Sequence, residues 1–262
     1  MHHIPFNEYS FSIILANFYY NKIKFKGTNI KNAVNSEFCI FCNTPYLYYL
    51  KDGRVECPNC KRRYSIKKIA KDIEFIKCFC NDLSVKEASK KLNSTHLTAQ
   101  NKYKIFRELI ALHLENEFNK NRDNIKEYNE YIYLDKCKRG KKEYIFDGQN
   151  FLTFDYGNKV YSIMMSPLSR YKSILIDEEQ IDLYYKELSK FLLFNRVAKL
   201  EKLDNNIVKF WQFLDEIISK YRGINEKNFF YYLKEAEFKF NYNKDERFKI
   251  LRGLYTTKLL KK

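Results

Sequence analysis

The sequence contains little glycine or proline and has no long apolar run. Seven glycines and four prolines in 262 residues are few, and we attribute this scarcity to nucleotide bias in the genome more than to the fold. No stretch approaches the roughly eighteen apolar residues of a membrane-spanning helix. The first residues also lack the basic and apolar order of a secretion signal. These absences predict an intracellular chain with no membrane partner.

Acidic residues are too few to balance the basic ones. Lysine and arginine number 48 against 32 aspartates and glutamates, so the formal net charge is +16. Aromatic residues make up 17% of the chain and ordinary apolar segments recur, which favours a folded protein with a cationic surface over a disordered one. The length fits one large domain or two or three small ones. The charge predicts a polyanionic partner, and nucleic acid is the first choice.

Two Cys-x-x-Cys pairs form the strongest motif. Cys39-Ile-Phe-Cys42 and Cys57-Pro-Asn-Cys60 are separated by fourteen residues, a spacing typical of a structural zinc site with four thiolate ligands. Between them, Lys51-Asp-Gly53 fits a tight hairpin turn. The alternatives are four reduced cysteines without metal, or two disulfides in a secreted protein. We predict a zinc ribbon over residues 37–64, with its ligands at Cys39, Cys42, Cys57 and Cys60.

The residues after the ribbon predict a helix-turn-helix over residues 65–118. Ser84 and Glu87 form a capping-box pattern at the start of a second helix, and a polar turn precedes a long third helix with apolar residues on one side. A packed three-helix unit without DNA contact is the alternative. The early part of the third helix would enter the major groove, while the basic run at 61–71, directly after the second cysteine pair, would follow the phosphates. The predicted DNA contacts are Lys61, Arg62, Arg63, Lys67, Lys68, Thr98, Gln100, Asn101 and Lys102.

A charged, asparagine-rich stretch at 119–130 predicts a linker and a domain boundary. Beyond it, four short segments rich in aromatic and β-branched residues predict an antiparallel meander. They are 131–136, 143–146, 151–154 and 159–165. Helices are predicted after Asp177, after Asn205 or Asn206, and from 226 to 240.

The order of these parts resembles the Merlin-type DDE transposases and their bacterial insertion-sequence relatives. Two stretches carry most of the resemblance: Asn205-Asn-Ile-Val-Lys-Phe-Trp211, and Tyr231-Tyr-Leu-Lys-Glu-Ala-Glu-Phe-Lys-Phe-Asn241. The likeness extends over residues 36 to 243. It implies a truncated, degenerate ribonuclease-H-like α/β domain at 131–245, preceded by a helical segment at 1–36 and followed by a basic tail at 246–262.

Catalysis in such a domain needs three acidic positions around two magnesium or manganese ions. The resemblance places the first at Asp135 and the second at Asp177, whereas the third position holds Val208, which cannot bind a metal. Asp177 is alternatively a helix N-cap, because the residues before its strand are too few for the usual crossover. Asn205 or Asn206 could replace the third ligand through an amide oxygen.

The sequence as a whole predicts an α+β protein that binds double-stranded DNA. We expect a transposase-derived protein with structural zinc and an inactive catalytic domain, located with DNA inside the cell and in the nucleus of a eukaryotic host. One alternative is an active transposase that cleaves and joins DNA with magnesium or manganese. The other is a zinc ribbon that contacts proteins. Assembly as a homodimer stays open.

Overall fold

The computed structural model describes residues 38–39, 41–42, 44–171, 179–184, 186–187, 205–221 and 224–260. Within these residues the chain is α+β, with two three-stranded antiparallel sheets. It divides into two compact units, Met1–Ile73 and Glu74–Lys262. The helical segment predicted in 1–36 and the strand predicted to end at Asp177 lie outside the described residues.

The first unit contains the predicted hairpin and a third strand. Its strands are β1 (Tyr48–Tyr49), β2 (Val55–Glu56) and β3 (Arg63–Tyr64), with β2 in the centre. Gly53 has a φ of +77° at the turn, a value that favours glycine, and the Leu50 N–H donates to the Arg54 carbonyl at 2.9 Å. The hairpin is confirmed. Strand β3 was not predicted, because it falls in the basic run.

Three consecutive helices follow, as the sequence predicts. They are α1 (Ile66–Cys80), α2 (Val85–Lys91) and α3 (His96–Lys120); α1 crosses the division between the units. The Ser84 side chain accepts a hydrogen bond from the Glu87 backbone, and the Glu87 carboxylate accepts one from the Ser84 backbone. The predicted capping box is therefore present. Thr95 caps α3 by accepting from the Thr98 N–H.

The second sheet has three strands in sequential order. They are β4 (Ile125–Tyr133), β5 (Gln149–Tyr156) and β6 (Lys159–Met164). Gly157 and Asn158 both have positive φ angles at the β5–β6 turn, as a two-residue hairpin loop with the right twist requires. The strand predicted at 143–146 is wrong, since Lys142–Asp147 forms a 3₁₀ helix.

Three helices complete the described chain: α4 (Asn206–Ser219), α5 (Glu226–Asn241) and α6 (Lys244–Leu260). Asn205 caps α4 by accepting from the Val208 N–H at 2.9 Å. Residues 179–184 and 186–187 are also helical. The basic tail predicted at 246–262 is wrong, because this segment belongs to helix α6 as far as Leu260. Leu251 and Tyr255 of this helix are buried in the core.

The predicted linker is also wrong, because it does not separate two bodies. Residues 125–130 belong to strand β4, and Phe118 at the end of α3 stacks on Tyr161 of β6 with ring centroids 4.3 Å apart. One apolar cluster contains side chains from all three helices of the predicted helix-turn-helix, from the sheet and from α6. A second cluster joins the sheet to α4 and α5.

Side chains of α5 form hydrogen bonds with the backbone N–H and carbonyl groups at the outer edge of β6. The Asn241 amide accepts from the Val160 N–H at 2.9 Å and donates to the Val160 carbonyl at 2.8 Å. One turn earlier, Glu237 accepts from the Ser162 N–H and Lys234 donates to the Ser162 carbonyl. Because an uncovered edge strand invites pairing with another chain, these contacts close one side of the sheet.

Candidate metal centre and nucleic-acid interface

The four predicted cysteine ligands come together in the first unit. Their sulfur atoms all lie within 4.8 Å of one another, with Cys39 Sγ 3.7 Å from Cys60 Sγ and Cys42 Sγ 3.4 Å from Cys57 Sγ. A tetrahedral zinc ion with Zn–S bonds of about 2.3 Å requires sulfur atoms about 3.8 Å apart. The set therefore fits one metal ion such as zinc, with no ligand position left for a substrate.

Backbone groups and burial shape the chemistry of these thiols. The Phe41 N–H donates to Cys39 Sγ at 3.4 Å and the Cys60 N–H donates to Cys57 Sγ at 3.5 Å, contacts that favour thiolates. Burial raises the pKa of the Cys39 thiol to about 12. Burial also acts to raise the pKa of Cys42, but hydrogen bonds to Thr44 and neighbouring thiols bring it to about 6. Metal binding at this site must release thiol protons.

A second metal centre is not found among the described residues, where the cysteine set is the one group of three or more potential ligands. Asp135, the first predicted catalytic acid, accepts a hydrogen bond from the Cys137 N–H at 3.0 Å and caps a short 3₁₀ helix. Nearby, Asp215 pairs with Arg139 at 2.9 Å. Asp177, the second predicted acid, lies outside the described residues.

The position predicted to hold the third catalytic ligand lies in a helix and faces the core. Val208 is 4% exposed in the cluster between the sheet and α4. The Asn205 amide oxygen already accepts a hydrogen bond as the cap of α4, so this residue has a structural role at the position where a substitute ligand was predicted. Asn206 is half-buried in the first turn of the same helix.

The predicted phosphate contacts of the first unit lie on its surface. Lys61, Arg62, Arg63, Lys67 and Lys68 are all exposed. Two of the five are engaged within the unit: Arg63 pairs with Glu56, and the Arg62 guanidinium lies 4.8 Å from the centre of the Phe41 ring. Lys67 and Lys68 lie in the first turn of α1.

The predicted base contacts of the second unit lie at the start of α3. Thr98, Gln100 and Asn101 are exposed, while Ala99 beside them is fully buried. Lys102 differs from this prediction, since it is half-buried and its ammonium donates to the Tyr255 hydroxyl of α6 at 2.9 Å. Tyr255 also meets Phe106 edge to face. Helix α6 thus supports the early part of α3, a contact that no local sequence pattern indicates.

The two stretches on which the predicted family resemblance rests contain residues that form core contacts. Trp211 stacks on Tyr131 with centroids 4.6 Å apart and donates to the Thr153 hydroxyl. Glu235 is 1% exposed and pairs with Arg107 of α3 at 2.6 Å and with Lys239 at 2.7 Å. Trp211 thus joins α4 to the sheet, and Glu235 joins α5 to α3.

Two exposed tyrosines were missed among the candidate functional residues. Tyr46 and Tyr48 are 54% and 50% exposed on the first unit, on either side of the buried Leu47. The alternation of aromatic, apolar and aromatic residues that leads into β1 is the sequence signal that could have identified them.

Comparison with protein-family models, with curated proteins and with solved structures finds no match to this chain. Within the described residues, no helix combines the length and the apolar character that crossing a membrane would require. A functional conclusion therefore depends on the side chains and their geometry.

Proposed function

We propose that this chain is a DNA-binding protein derived from a transposase, whose former catalytic domain persists as an inactive scaffold. The observation that carries the proposal is the set of exposed polar side chains Thr98, Gln100 and Asn101 in the first turns of α3, directly after a short turn from α2. The N-terminal part of a recognition helix is the part that contacts base edges in the major groove. The partner is double-stranded DNA, and the protein is located with DNA inside the cell.

The charge of the molecule supports this proposal. A net charge of +16 favours association with a polyanion, and five basic side chains of the first unit lie exposed where phosphate contacts were predicted. Zinc is the proposed ion of the cysteine site, because four thiolates in a closed set match its structural coordination. In this role zinc stabilises the ribbon and takes no part in a reaction.

The scaffold part of the proposal rests on the predicted catalytic positions. Val208 is buried among apolar side chains and Asp135 acts as a cap. The pair between Arg139 and Asp215 also places a guanidinium close to the strand end that leads to Asp135, where it would oppose a divalent cation. Magnesium or manganese would be needed only if the chain were active.

Binding to duplex DNA tests the proposal. A preferred duplex is first selected from a random pool with the full chain, and affinity is then measured by fluorescence anisotropy at several salt concentrations. We expect the affinity to fall steeply with salt, because bound phosphates release counterions. Replacing Gln100 and Asn101 by alanine should weaken binding to the selected duplex by about 1–3 kcal/mol per lost base contact.

The matched control replaces Asn116 and Asn119 by alanine. These residues are exposed polar side chains at the opposite end of the same helix, so their loss should leave the affinity unchanged. Equal losses in both double variants, or duplex binding without any salt dependence, would contradict the proposal. The second result would favour a ribbon that contacts proteins.

A further inference from the structure

The outer face of the ribbon sheet presents aromatic rings to solvent. Tyr46 and Tyr48 are at least half exposed, whereas Leu47 between them is 1% exposed. Tyr48 lies in β1, and Tyr46 lies two residues before it, next to that strand. Because successive residues of an extended chain point to opposite faces, and both tyrosines are exposed while Leu47 is buried, we place both rings on the outer face. Large aromatic side chains left on the surface in such a pair are candidates for a binding surface.

A guanidinium lies on the same face as the tyrosines. Tyr48 of β1 is directly opposite Glu56 of β2, and Glu56 is directly opposite Arg63 of β3. Directly opposite residues share a face of the sheet, so Tyr48, Glu56 and Arg63 form one row across it. Glu56 binds the Arg63 side chain and thereby holds the guanidinium over this face, where it remains exposed.

The surrounding surface is cationic. Residues 38–73 contain eight lysines and arginines against three acidic residues. A zinc ion with four thiolates would add two negative charges, and the balance would still be positive. Charge complementarity therefore selects a polyanion over an apolar or cationic protein surface as the occupant of this face.

Exposed aromatic rings on a cationic surface favour one kind of polyanion. Bases in a duplex are stacked on each other, so their faces are closed to a side chain, while unpaired bases can stack on aromatic rings. We propose that the outer face of the ribbon sheet, with Tyr46, Tyr48 and Arg63, binds single-stranded nucleic acid. The two tyrosines stack on unpaired bases and Arg63 contacts the backbone. This activity is separate from duplex recognition by α3.

Binding of short fluorescent oligonucleotides to the full-length chain tests the proposal. Oligothymidine and oligouridine serve as single-stranded probes and distinguish DNA from RNA as the preferred strand; a duplex serves as the comparison. Replacing Tyr46 and Tyr48 together by alanine should weaken single-strand binding by roughly 30-fold, since each stacked base contributes at least about 1 kcal/mol. Affinity for the duplex should stay unchanged. Metal content should also be unchanged, which shows that the ribbon is intact.

Two control variants sharpen the test. Replacing both tyrosines by phenylalanine should retain single-strand affinity, because the rings and not the hydroxyls make the contact. Tyr128 of β4 is more exposed than either tyrosine, at 67%, and its replacement by alanine should have no effect. The variant with Gln100 and Asn101 replaced should lose duplex affinity and keep single-strand affinity, so failure of either proposal is recognised separately.

Three results would overturn the inference. The first is unchanged single-strand affinity in the double alanine variant. The second is an equal loss for duplex and single strand, which would make this face a part of the duplex interface. The third is a change in oligomeric state of that variant, measured by sedimentation, which would show that a second copy of the chain covers the tyrosines.

Discussion

At the scale of single residues, the cysteines have the most specific environment in the chain. Cys39, Cys42, Cys57 and Cys60 converge, and two of their sulfurs accept backbone hydrogen bonds. Of the three other described cysteines, Cys78 and Cys80 are buried in an apolar cluster with side chains of α1, α2 and α3, and Cys137 is exposed. The Cys-x-x-Cys spacing in the sequence therefore identifies the four cysteines that converge.

Replacing Cys57 by serine should abolish metal binding. The wild-type chain should contain about one zinc ion and the variant close to none, because a closed site needs all four thiolates. Since metal binding also drives folding of such small units, amide hydrogen exchange in residues 44–64 should accelerate. Metal analysis and exchange mass spectrometry provide the two measurements.

The control variant, Cys137→Ser, changes an exposed cysteine outside the four-cysteine set and should retain the zinc. Retention of zinc by Cys57→Ser would disprove the assignment of Cys57 as a ligand.

At the scale of elements, buried charges connect helices that are distant in sequence. Glu235 of α5 binds Arg107 of α3, Lys239 of its own helix and the Tyr221 hydroxyl. Burial acts to raise the pKa of Glu235, but Lys239 and Arg107 outweigh it and lower this pKa to about 2. Asp82, in the turn before α2, also pairs with Lys239 at 2.8 Å. The orientation of α5 against the predicted helix-turn-helix depends on this network.

Replacing Glu235 by glutamine should destabilise the second unit by about 3–5 kcal/mol, because the buried Arg107 loses its counter-charge and the buried Lys239 is left with the partly exposed Asp82. The single tryptophan, Trp211, is buried in this unit and reports its unfolding in denaturant by fluorescence. The control, Glu216→Gln, changes an exposed carboxylate of α4 and should shift stability by less than about 0.5 kcal/mol.

The cost of Glu235→Gln should also depend on pH. A carboxyl with a lowered pKa in the folded state stabilises the protein fully above its unfolded pKa of about 4.5, and this stabilisation disappears as the pH falls toward 2. The difference between wild type and variant should therefore be largest above pH 5 and smaller below it. A cost under about 1 kcal/mol that is the same at every pH would show that the network contributes little.

At the scale of the whole molecule, the proposed loss of catalysis can be tested directly. The stretches on which the predicted transposase resemblance rests supply core contacts such as the Trp211–Tyr131 stack and the Asn241 pairing with β6. Such contacts stabilise a scaffold whether or not it is active. Transposase activity would depend instead on the three positions at which acidic metal ligands are expected. One of these positions holds Val208, which is buried and apolar.

The purified chain should not cut or join duplex oligonucleotides when magnesium or manganese is added. The reason is that two metal ions need a third ligand and the residue at that position is Val208. Product formation is followed on denaturing gels with labelled DNA. Asp135→Ala should leave duplex affinity unchanged. Metal-dependent cleavage that this same substitution removes would show instead that the domain is an active enzyme.

Local patterns in the sequence determined the features that depend on neighbouring residues. The convergence of the two Cys-x-x-Cys pairs, the turn at Gly53 and the capping box of Ser84 occur where they were predicted. Helix α4 was predicted to start at Asn205 or Asn206, and the structure makes Asn205 its cap. These features are local because a cap, a turn or a paired ligand involves residues only a few positions apart. Locally, the charged stretch at 119–130 had the composition of a linker, yet part of it is strand.

Only the tertiary structure decided which distant residues meet. It brings Tyr255 of α6 to Lys102 and Phe106 of α3, stacks Phe118 on Tyr161 across the predicted boundary, and aligns Tyr48 with Glu56 and Arg63. Such contacts depend on burying apolar surface from several elements at once and on strand register. Neither can be obtained from the spacing of apolar residues within one segment. The sequence alone therefore did not predict that α6 packs on α3, or that aromatic side chains line one face of the ribbon sheet.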